Sequence, residues 1–500
     1  MTPLSTGGPA SLLPLLVAVP LAVAGLLVAL RLPPRVRIAS LLAVVGAQFV
    51  SGVALLAVAG GGTVLSTRVG GWSPLVAIPF TVDALAAMMV TMMTLVALVV
   101  IPFAIRVGAA SEPFFAPLVL LLMAGVVGAV LTGDLFNLFV FIEVMLLPSY
   151  ALMILARRGQ GKRMQVTATR IYITVNLTTS SIMLIGIAIL HASLGGVGFT
   201  WLLGRGADTP AAALGSALVL LALCVKAAVV PGHGWLGRTY PHMSPTMSAL
   251  FSGLHTKVAV YAVFRMHSVL FGGGAQWTTL GLVLFATSMV VGALAAIGET
   301  DARAVLSLHM VSQIGYVLLG LAVHTPAALA AAVFYLVHNV ISKASLFLST
   351  GAVETAYGRH GLGEVSGLLR RERLTALAFF PASMSLAGLP PMSGFLAKLA
   401  LIVAAFAAGQ WAAGVVALVA SLLTLMSMLK LWGAMFLGEP APDQGEDDGP
   451  RIGWSLIWPA LVLTVLSGLL GICGAFFYPV AQTAAHQLLD PSLVVGAVTR

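Results

Sequence analysis

Seven ionisable side chains stand inside long apolar runs of this chain: Glu143, Lys226, Lys257, His338, Lys343, Lys398 and Lys430. In FNLFVFIEVMLLPSYALM, Phe136 to Met153, the glutamate sits in the middle of the run. A charge at the centre of a bilayer costs about 2.5 to 3.5 kcal/mol on insertion scales, so residues kept there are the first to ask for chemistry. Burial lowers the pKa of an amine and a nearby carboxylate raises it; an amine held between the two influences is a switchable proton carrier. If all five lysines were ionised against the single mid-depth carboxylate, repulsion and desolvation would make the state very costly. Proton transfer is therefore the expected chemistry, with Glu143 opposite Lys226 as modulator. The competing reading is a static buried ion pair that fixes helix packing.

Helical spacing supplies intermediates. SALFSGLHTKVAVYAVFR places Ser248, Ser252 and His255 on one stripe and Gly253, Lys257 and Tyr261 on another. FYLVHNVISKASLFLS places Tyr335, His338 and Ser342 on one stripe, with Asn339 and Lys343 four apart beside it. Such side chains can organise water between titratable groups. Glu143, Lys226, Lys257, His338 and Lys398 are the expected proton-transfer residues, and His255, Lys343, Lys430, Tyr335 and Ser252 the candidate relays. A lysine near a helix end can instead snorkel to the headgroups, the plain alternative for Lys430. For His255 the plain alternative is a hydrogen-bonded packing role.

The elements that carry these residues follow from composition. With 59% hydrophobic and 8% charged residues among 500, and a mean hydropathy of +1.05, soluble layers could not hide so much apolar surface. An all-α polytopic membrane protein is expected. Fourteen apolar segments of helix length can be counted: 10 to 30, 37 to 61, 83 to 105, 113 to 131, 134 to 156, 167 to 192, 210 to 240, 244 to 265, 276 to 297, 303 to 323, 326 to 350, 374 to 407, 411 to 437 and 452 to 478. The first has no basic n-region before it, and Arg31, Arg35 and Arg37 follow it, as in a retained helix with its N-terminus outside. The stretch EPAPDQGEDDGP, Glu439 to Pro450, reads as a solvated acidic loop.

Of the 25 basic residues, sixteen fall in connections after odd-numbered segments, Arg157, Arg158, Arg303, Arg370, Arg371, Arg373 and Arg451 among them. Four (Arg68, Arg205, Arg265 and Arg500) fall in the even connections and the C-terminus. The positive-inside bias puts the odd connections in the cytoplasm and both termini outside. It also accounts for the net charge of +9 without nucleic acid. Cys224 and Cys473 lie in different runs and suggest neither a disulfide nor a metal site, and no haem or iron–sulfur pattern is present; no cofactor and no metal are expected.

Two segments are long and broken. LCVKAAVVPGHGWLGRTYP has Pro231 and Gly232 just after Lys226, and SLAGLPPMSGFLAKLAL has Pro390 and Pro391 just before Lys398. Proline removes backbone donors and clashes with the preceding turn, so the seventh and twelfth helices are expected to unwind at mid-membrane. Broken helices in matching places of two halves point to inverted repeats around an ion path. The expected units are 1–112 (helices 1–3), 113–270 (a first five-helix repeat), 271–438 (a second) and 439–500 (the acidic loop, the last helix and a tail).

These stretches carry a resemblance. TGDLFNLFVFIEVMLLPSYALM, KAAVVPGHGWLGRTYPHMSPTMSALFSGLHTKVAVYAVFR, HNVISKASLFLSTGAVE and AGLPPMSGFLAKLALI resemble, in that order, signature regions of antiporter-like subunits. That family is shared by respiratory complex I, membrane-bound hydrogenases and multisubunit Mrp cation/proton antiporters. The resemblance implies fourteen core helices, inverted repeats and a central polar axis, with Glu143, Lys226, Lys257, His338 and Lys398 matching the family's ionisable positions. GDLFNLFVFIEVM and GLPPMSGFLAKL are most similar to the D type of Mrp subunits, and a lysine at 398 differs from the glutamate of M-type subunits. PGHGWLGRTYPH departs from the usual family form. The implied role is proton translocation in a Na⁺/H⁺ antiporter of the cell membrane, serving pH homeostasis beside other membrane subunits, with Na⁺ crossing here or in a neighbour. The alternative is an N- or M-type subunit of complex I or of a membrane-bound hydrogenase, part of a NADH:quinone oxidoreductase with no redox centre of its own. A stand-alone solute transporter would want a pocket of mixed polarity, and a passive scaffold would not need so many ionisable groups at depth.

Overall fold

The computed structural model describes residues 9–72, 77–155, 162–359, 361–439 and 451–499. Arg157, Arg158, Arg500 and the acidic loop beyond Glu439 lie outside the described residues. The chain opens with α1 (Leu15–Ala29) and α2 (Pro34–Ala59), passes through a short antiparallel hairpin of β1 (Leu65–Arg68) and β2 (Pro79–Val82), and enters α3 (Ala84–Arg106). Next come α4 (Phe115–Leu131), α5 (Leu135–Leu155), α6 (Lys162–Leu194), a single turn α7 (Phe199–Leu202), α8 (Pro210–Lys226), the short α9 (Gly234–Thr239) and α10 (Pro245–Leu270). They are followed by α11 (Thr278–Gly298), α12 (Ala302–Val323), α13 (Pro326–Tyr357), the turn α14 (Leu368–Arg371), α15 (Arg373–Ala387), α16 (Ser393–Ala407) and α17 (Trp411–Phe436). The chain closes with α18 (Trp454–Ile472), α19 (Gly474–Leu489) and α20 (Ser492–Thr499).

Every expected apolar segment holds one helix or a broken pair, and among the described residues eleven helices are long and apolar enough to cross a membrane. Local chemistry starts them. Thr209, Ser244 and Thr325 each stand before a proline and accept the backbone N–H three residues on, opening α8, α10 and α13. The two expected breaks are present: α8 stops at Lys226 and helix resumes at Gly234, while α15 stops at Ala387 and helix resumes at Ser393.

Burial ranks the helices. The apolar windows of α10, α12 and α13 are wholly buried, whereas α1 and α2 bury under a third of theirs and lie at the periphery. Three features depart from expectation. The β1–β2 hairpin lies between the second and third expected segments, and no strand was among the expected elements. The last long helix ends at Ile472, short of residue 478, and the tail is helical: α19 folds back so that Gln487 accepts from Ala84 N and donates to Gly62 O. Arg265 and Arg303, expected in connections, are buried in ion pairs with Asp83 (2.5 Å) and Glu354 (3.2 Å).

Candidate functional site

The first cluster lies among α5, α6 and α8. Glu143 and Lys226 approach to 3.8 Å, too far for a direct hydrogen bond, with the side chains 21% and 5% exposed. Ser180 of α6 stands between them: the Lys226 ammonium donates to its hydroxyl at 2.8 Å, and that hydroxyl donates to Glu143 Oε1. Lys226 also reaches the Asn176 carbonyl at 3.4 Å. One rotatable hydroxyl thus stands beside the 3.8 Å ion pair, accepting from the ammonium and donating to the carboxylate. Lys226 is placed by the end of its helix, because the unwinding from Ala227 onward leaves its side chain among α6 residues.

From Lys226 the polar line continues to α10. A cavity of about 10 Å³ is lined by Tyr172, Asn176, Lys226 and His255, room for roughly one water. His255 Nδ1 lies 3.3 Å from the Tyr172 hydroxyl, and its Nε2 has no protein partner. Lys257, two residues along the same helix, is 1% exposed and touches Thr256 Oγ1 at 3.4 Å. Ser252 spends its hydroxyl on Ala249 O of its own helix and joins no other candidate residue. Across the interface Lys343 of α13 donates to Leu306 O of α12 at 2.9 Å.

The second cluster surrounds the other break. His338 Nδ1 meets Ser393 Oγ at 2.8 Å and Ser342 Oγ at 3.1 Å, and its ring packs beside Tyr335 at 5.4 Å between centroids. The Tyr335 hydroxyl itself donates to Gln313 Oε1. Lys398 donates to Ala387 O at 3.0 Å and Ser421 Oγ at 3.2 Å, with the centroid of the Tyr316 ring 4.9 Å from its ammonium. Ala387 is the last residue of α15, so the break itself frees this carbonyl. Gly388 turns the chain with φ +90°, and a Cβ there would stand 2.7 Å from Lys398 Cδ; both the turn and the lysine stem require glycine. Pro231 and Gly232 belong to the first break, Pro390 and Pro391 to the second.

Lys430 stands where the plain alternative would put it, near a helix end. It is exposed on α17 and donates to Ile297 O and Glu299 O at 2.7 and 2.8 Å, capping the C-terminal end of α11. Its ammonium bonds to none of the other candidates.

Residues 132–424 match the family described as NADH:quinone oxidoreductase/Mrp antiporter, transmembrane. The D subunit of the Na(+)/H(+) antiporter of Alkalihalophilus pseudofirmus is 35% identical over 471 residues, covering 93% of this chain and 94% of its own. The chain belongs to the NADH:quinone oxidoreductase/Mrp antiporter family. Its backbone superposes on a chain of the Mrp complex from Dietzia sp. DQ12-45-1b with a TM-score of 0.95, at 46% identity and with 98% and 99% of the two chains covered. A chain of respiratory complex I from Thermus thermophilus matches with a TM-score of 0.81 at 25% identity, covering 95% and 99%.

Within this antiporter family fold, sequence reasoning passed over the residues that connect the charged ones. Asn176 and Ser180 sit in the run TVNLTTSSIM of α6, whose density of hydroxyls was the available signal. Ser385 and Ser393 reach His338 Nδ1 and Ser467 bonds to both of them, while Ser421 and Tyr316 hold Lys398. His309 and Asn339 are fully buried with no protein partner for any polar side-chain atom, on the same two helices, α12 and α13, as Gln313 and Lys343.

Proposed function

We propose that this chain is the D-type, proton-translocating subunit of a multisubunit Na⁺/H⁺ antiporter in the cell membrane, a secondary transporter subunit and not an enzyme. The observation that carries the reading is the Glu143–Ser180–Lys226 chain, a carboxylate that addresses a buried ammonium through a hydroxyl. Moving the carboxylate nearer holds the proton on Lys226; moving it away lets the proton pass toward His255 through the small cavity beside it. From there the order of transfer is Lys257, Lys343, His338 and Lys398, with Tyr335 and His255 holding water between them. The names of the relatives support the exchange partner, Na⁺, which crosses here or through a neighbouring membrane subunit.

The same reading places odd connections in the cytoplasm and both termini outside, and treats 113–270 and 271–438 as inverted repeats, each broken in its fourth helix. Protons, Na⁺ and lipid are the small partners; the protein partners are other membrane subunits of the complex. The test is reconstitution of the purified complex in vesicles with a pH-sensitive dye inside. An imposed Na⁺ gradient should move protons in the opposite direction, and the chain reconstituted alone should not. Robust exchange by the isolated chain would overturn the subunit reading, and co-purification with quinone-reducing peripheral subunits would favour the complex I alternative.

A further inference from the structure

Three helices, α13, α15 and α18, face one another along a stripe of hydroxyls that starts at His338 and leads away from the charged axis. Nearest His338, Ser467 of α18 contacts Ser342 at 3.1 Å, Ser385 at 3.0 Å and Ser393 at 2.9 Å. One turn along, Ser345 of α13 meets Thr464 of α18 at 2.7 Å. The register is that of an antiparallel pair: three residues forward on α13 match three backward on α18, so the two rungs are stacked roughly 4.5 Å apart. Each hydroxyl in the second rung has one proton and two acceptors. Ser345 can give its proton to Thr464 or to Ala460 O at 3.0 Å, and Thr464 to Ser345 or to Ala378 O at 2.7 Å. Such a rung can invert by rotating two C–O bonds, which a proton relay requires after every passage.

The stripe continues along α15 at steps of three residues. Below Ala378 stands Thr375, 1% exposed, whose hydroxyl has no protein partner. One turn further is Glu372, 6% exposed, whose carboxylate accepts from the Tyr357 hydroxyl at 3.0 Å and the Ile452 N–H at 2.9 Å. Glu372 thus ties the ends of α13, α15 and the segment leading into α18 at one place. That end of the molecule carries Arg370, Arg371, Arg373 and Arg451.

We propose that this hydroxyl ladder is a cytoplasmic access route for protons to His338, with Glu372 as the acid at its mouth and the Ser345–Thr464 rung as its narrowest link. The inference rests on the proton-translocating reading, which also supplies the side. A proton arriving on Glu372 is passed to the Thr375 hydroxyl through ordered water. Water is required in the same way between Thr375 and Thr464 and between the two rungs, because the Ala378 and Ala460 carbonyls accept a hydrogen bond but cannot hand a proton on. Each hydroxyl or water then accepts a proton on one side and releases its own on the other, and His338 Nδ1 receives the last, with no bond other than O–H and N–H changing. Hydroxyls between membrane helices also serve as glue, but glue needs one bond per contact. Here three serines, from α13, α15 and α16, reach one imidazole nitrogen, a fourth, Ser467 of α18, bonds to all three, and the stripe runs on through a buried hydroxyl that bonds to nothing in the protein to a buried carboxylate.

The test compares Thr464→Val with Thr464→Ser in the intact complex. Valine keeps the volume and removes the hydroxyl; serine keeps the hydroxyl and removes a methyl. A relay predicts that Thr464→Val slows Na⁺-driven proton exchange by about tenfold or more while Thr464→Ser stays near wild type. A packing role predicts the reverse order, and that result overturns the proposal. If Thr464→Val fails to co-purify with its partner subunits, Ser345→Ala, which removes a single oxygen, takes its place with the same expected loss, and wild-type exchange by that variant overturns the proposal. Lys226→Ala is run alongside: normal exchange in Lys226→Ala sinks the proton-axis reading itself, whereas an inactive Lys226→Ala beside a fully active hydroxyl-free ladder sinks only the ladder.

Discussion

The two helix breaks use one backbone device for different electrostatic ends. Lys226 is the last residue before its break, and Lys398 comes six residues into the helix that follows its own. In the first break the Val225 carbonyl is taken by the Trp235 indole N–H at 2.9 Å, and the lysine turns to the Ser180 hydroxyl, the Glu143 carboxylate and, at 3.4 Å, the Asn176 carbonyl of a neighbouring helix. In the second, the Ala387 carbonyl goes directly to the lysine, and the Tyr316 ring completes its surroundings. A carboxylate on a side chain can move and so change the amine's charge state; a backbone dipole and a ring face are fixed. On the proposed function, the first half would therefore command a proton, and the second would hold or pass what it receives.

Removing the movable group or the amine it commands is the strongest way to break this contrast. Glu143→Gln and Lys226→Ala should each lower exchange by about a hundredfold or more in fully assembled complex, measured in vesicles after checking that the partner subunits co-purify. Loss of assembly in both would instead favour the static ion pair. Next in size is Lys398→Arg. Its guanidinium keeps the positive charge beside Ala387 O but never releases a proton in a protein, so exchange should fall by roughly tenfold or more. Wild-type exchange would mean that position 398 supplies a fixed charge alone.

The hydroxyl partners sharpen the comparison further. Ser180→Ala removes the link between Glu143 and Lys226, which then face each other across 3.8 Å without an intermediary, and exchange should drop severalfold, on the order of 1 kcal/mol in the barrier. Ser421→Ala leaves Lys398 its bond to Ala387 O, so the effect should be about twofold or less. Equal losses in the two variants would show that the halves do not differ in the way proposed.

How much of this was legible depends on whether a feature is local. The breaks at Pro231 and at Pro390–Pro391 could be read because proline removes a donor whatever surrounds it. The positions of Glu143, Lys226 and Lys398 at depth could be read because nothing in an apolar run hides a charge. Ser180, Ser421 and Ser467 could not be singled out. Most hydroxyls in such helices bond their own preceding turn, as Thr179 does to Val175 O and Thr424 to Ala420 O, and only packing selects the few that point across. The folded-back α19 was missed for a similar reason: its anchors, such as Gln487 to Gly62 O, join residues hundreds of positions apart.

The smallest expected effect belongs to Lys430, and it tests the comparison from its quiet side. Lys257 and Lys430 lie in the fifth helices of the two expected repeats, so symmetry alone would give them equal parts in the axis. Their surroundings disagree with symmetry. Lys257 is sealed inside α10, the most deeply buried class of helix here, whereas Lys430 lies on the exposed face of α17 and caps the end of α11 through Ile297 O and Glu299 O. A cap of that kind at an exposed site is worth about half a kcal/mol or less, and its loss leaves the buried line untouched. Lys430→Ala should therefore exchange at the wild-type rate in assembled complex, while Lys257→Ala should not. If Lys430→Ala proves as damaging as Lys257→Ala in the same vesicle assay, the second half uses a lysine that this geometry leaves outside, and the contrast between the halves must be drawn elsewhere.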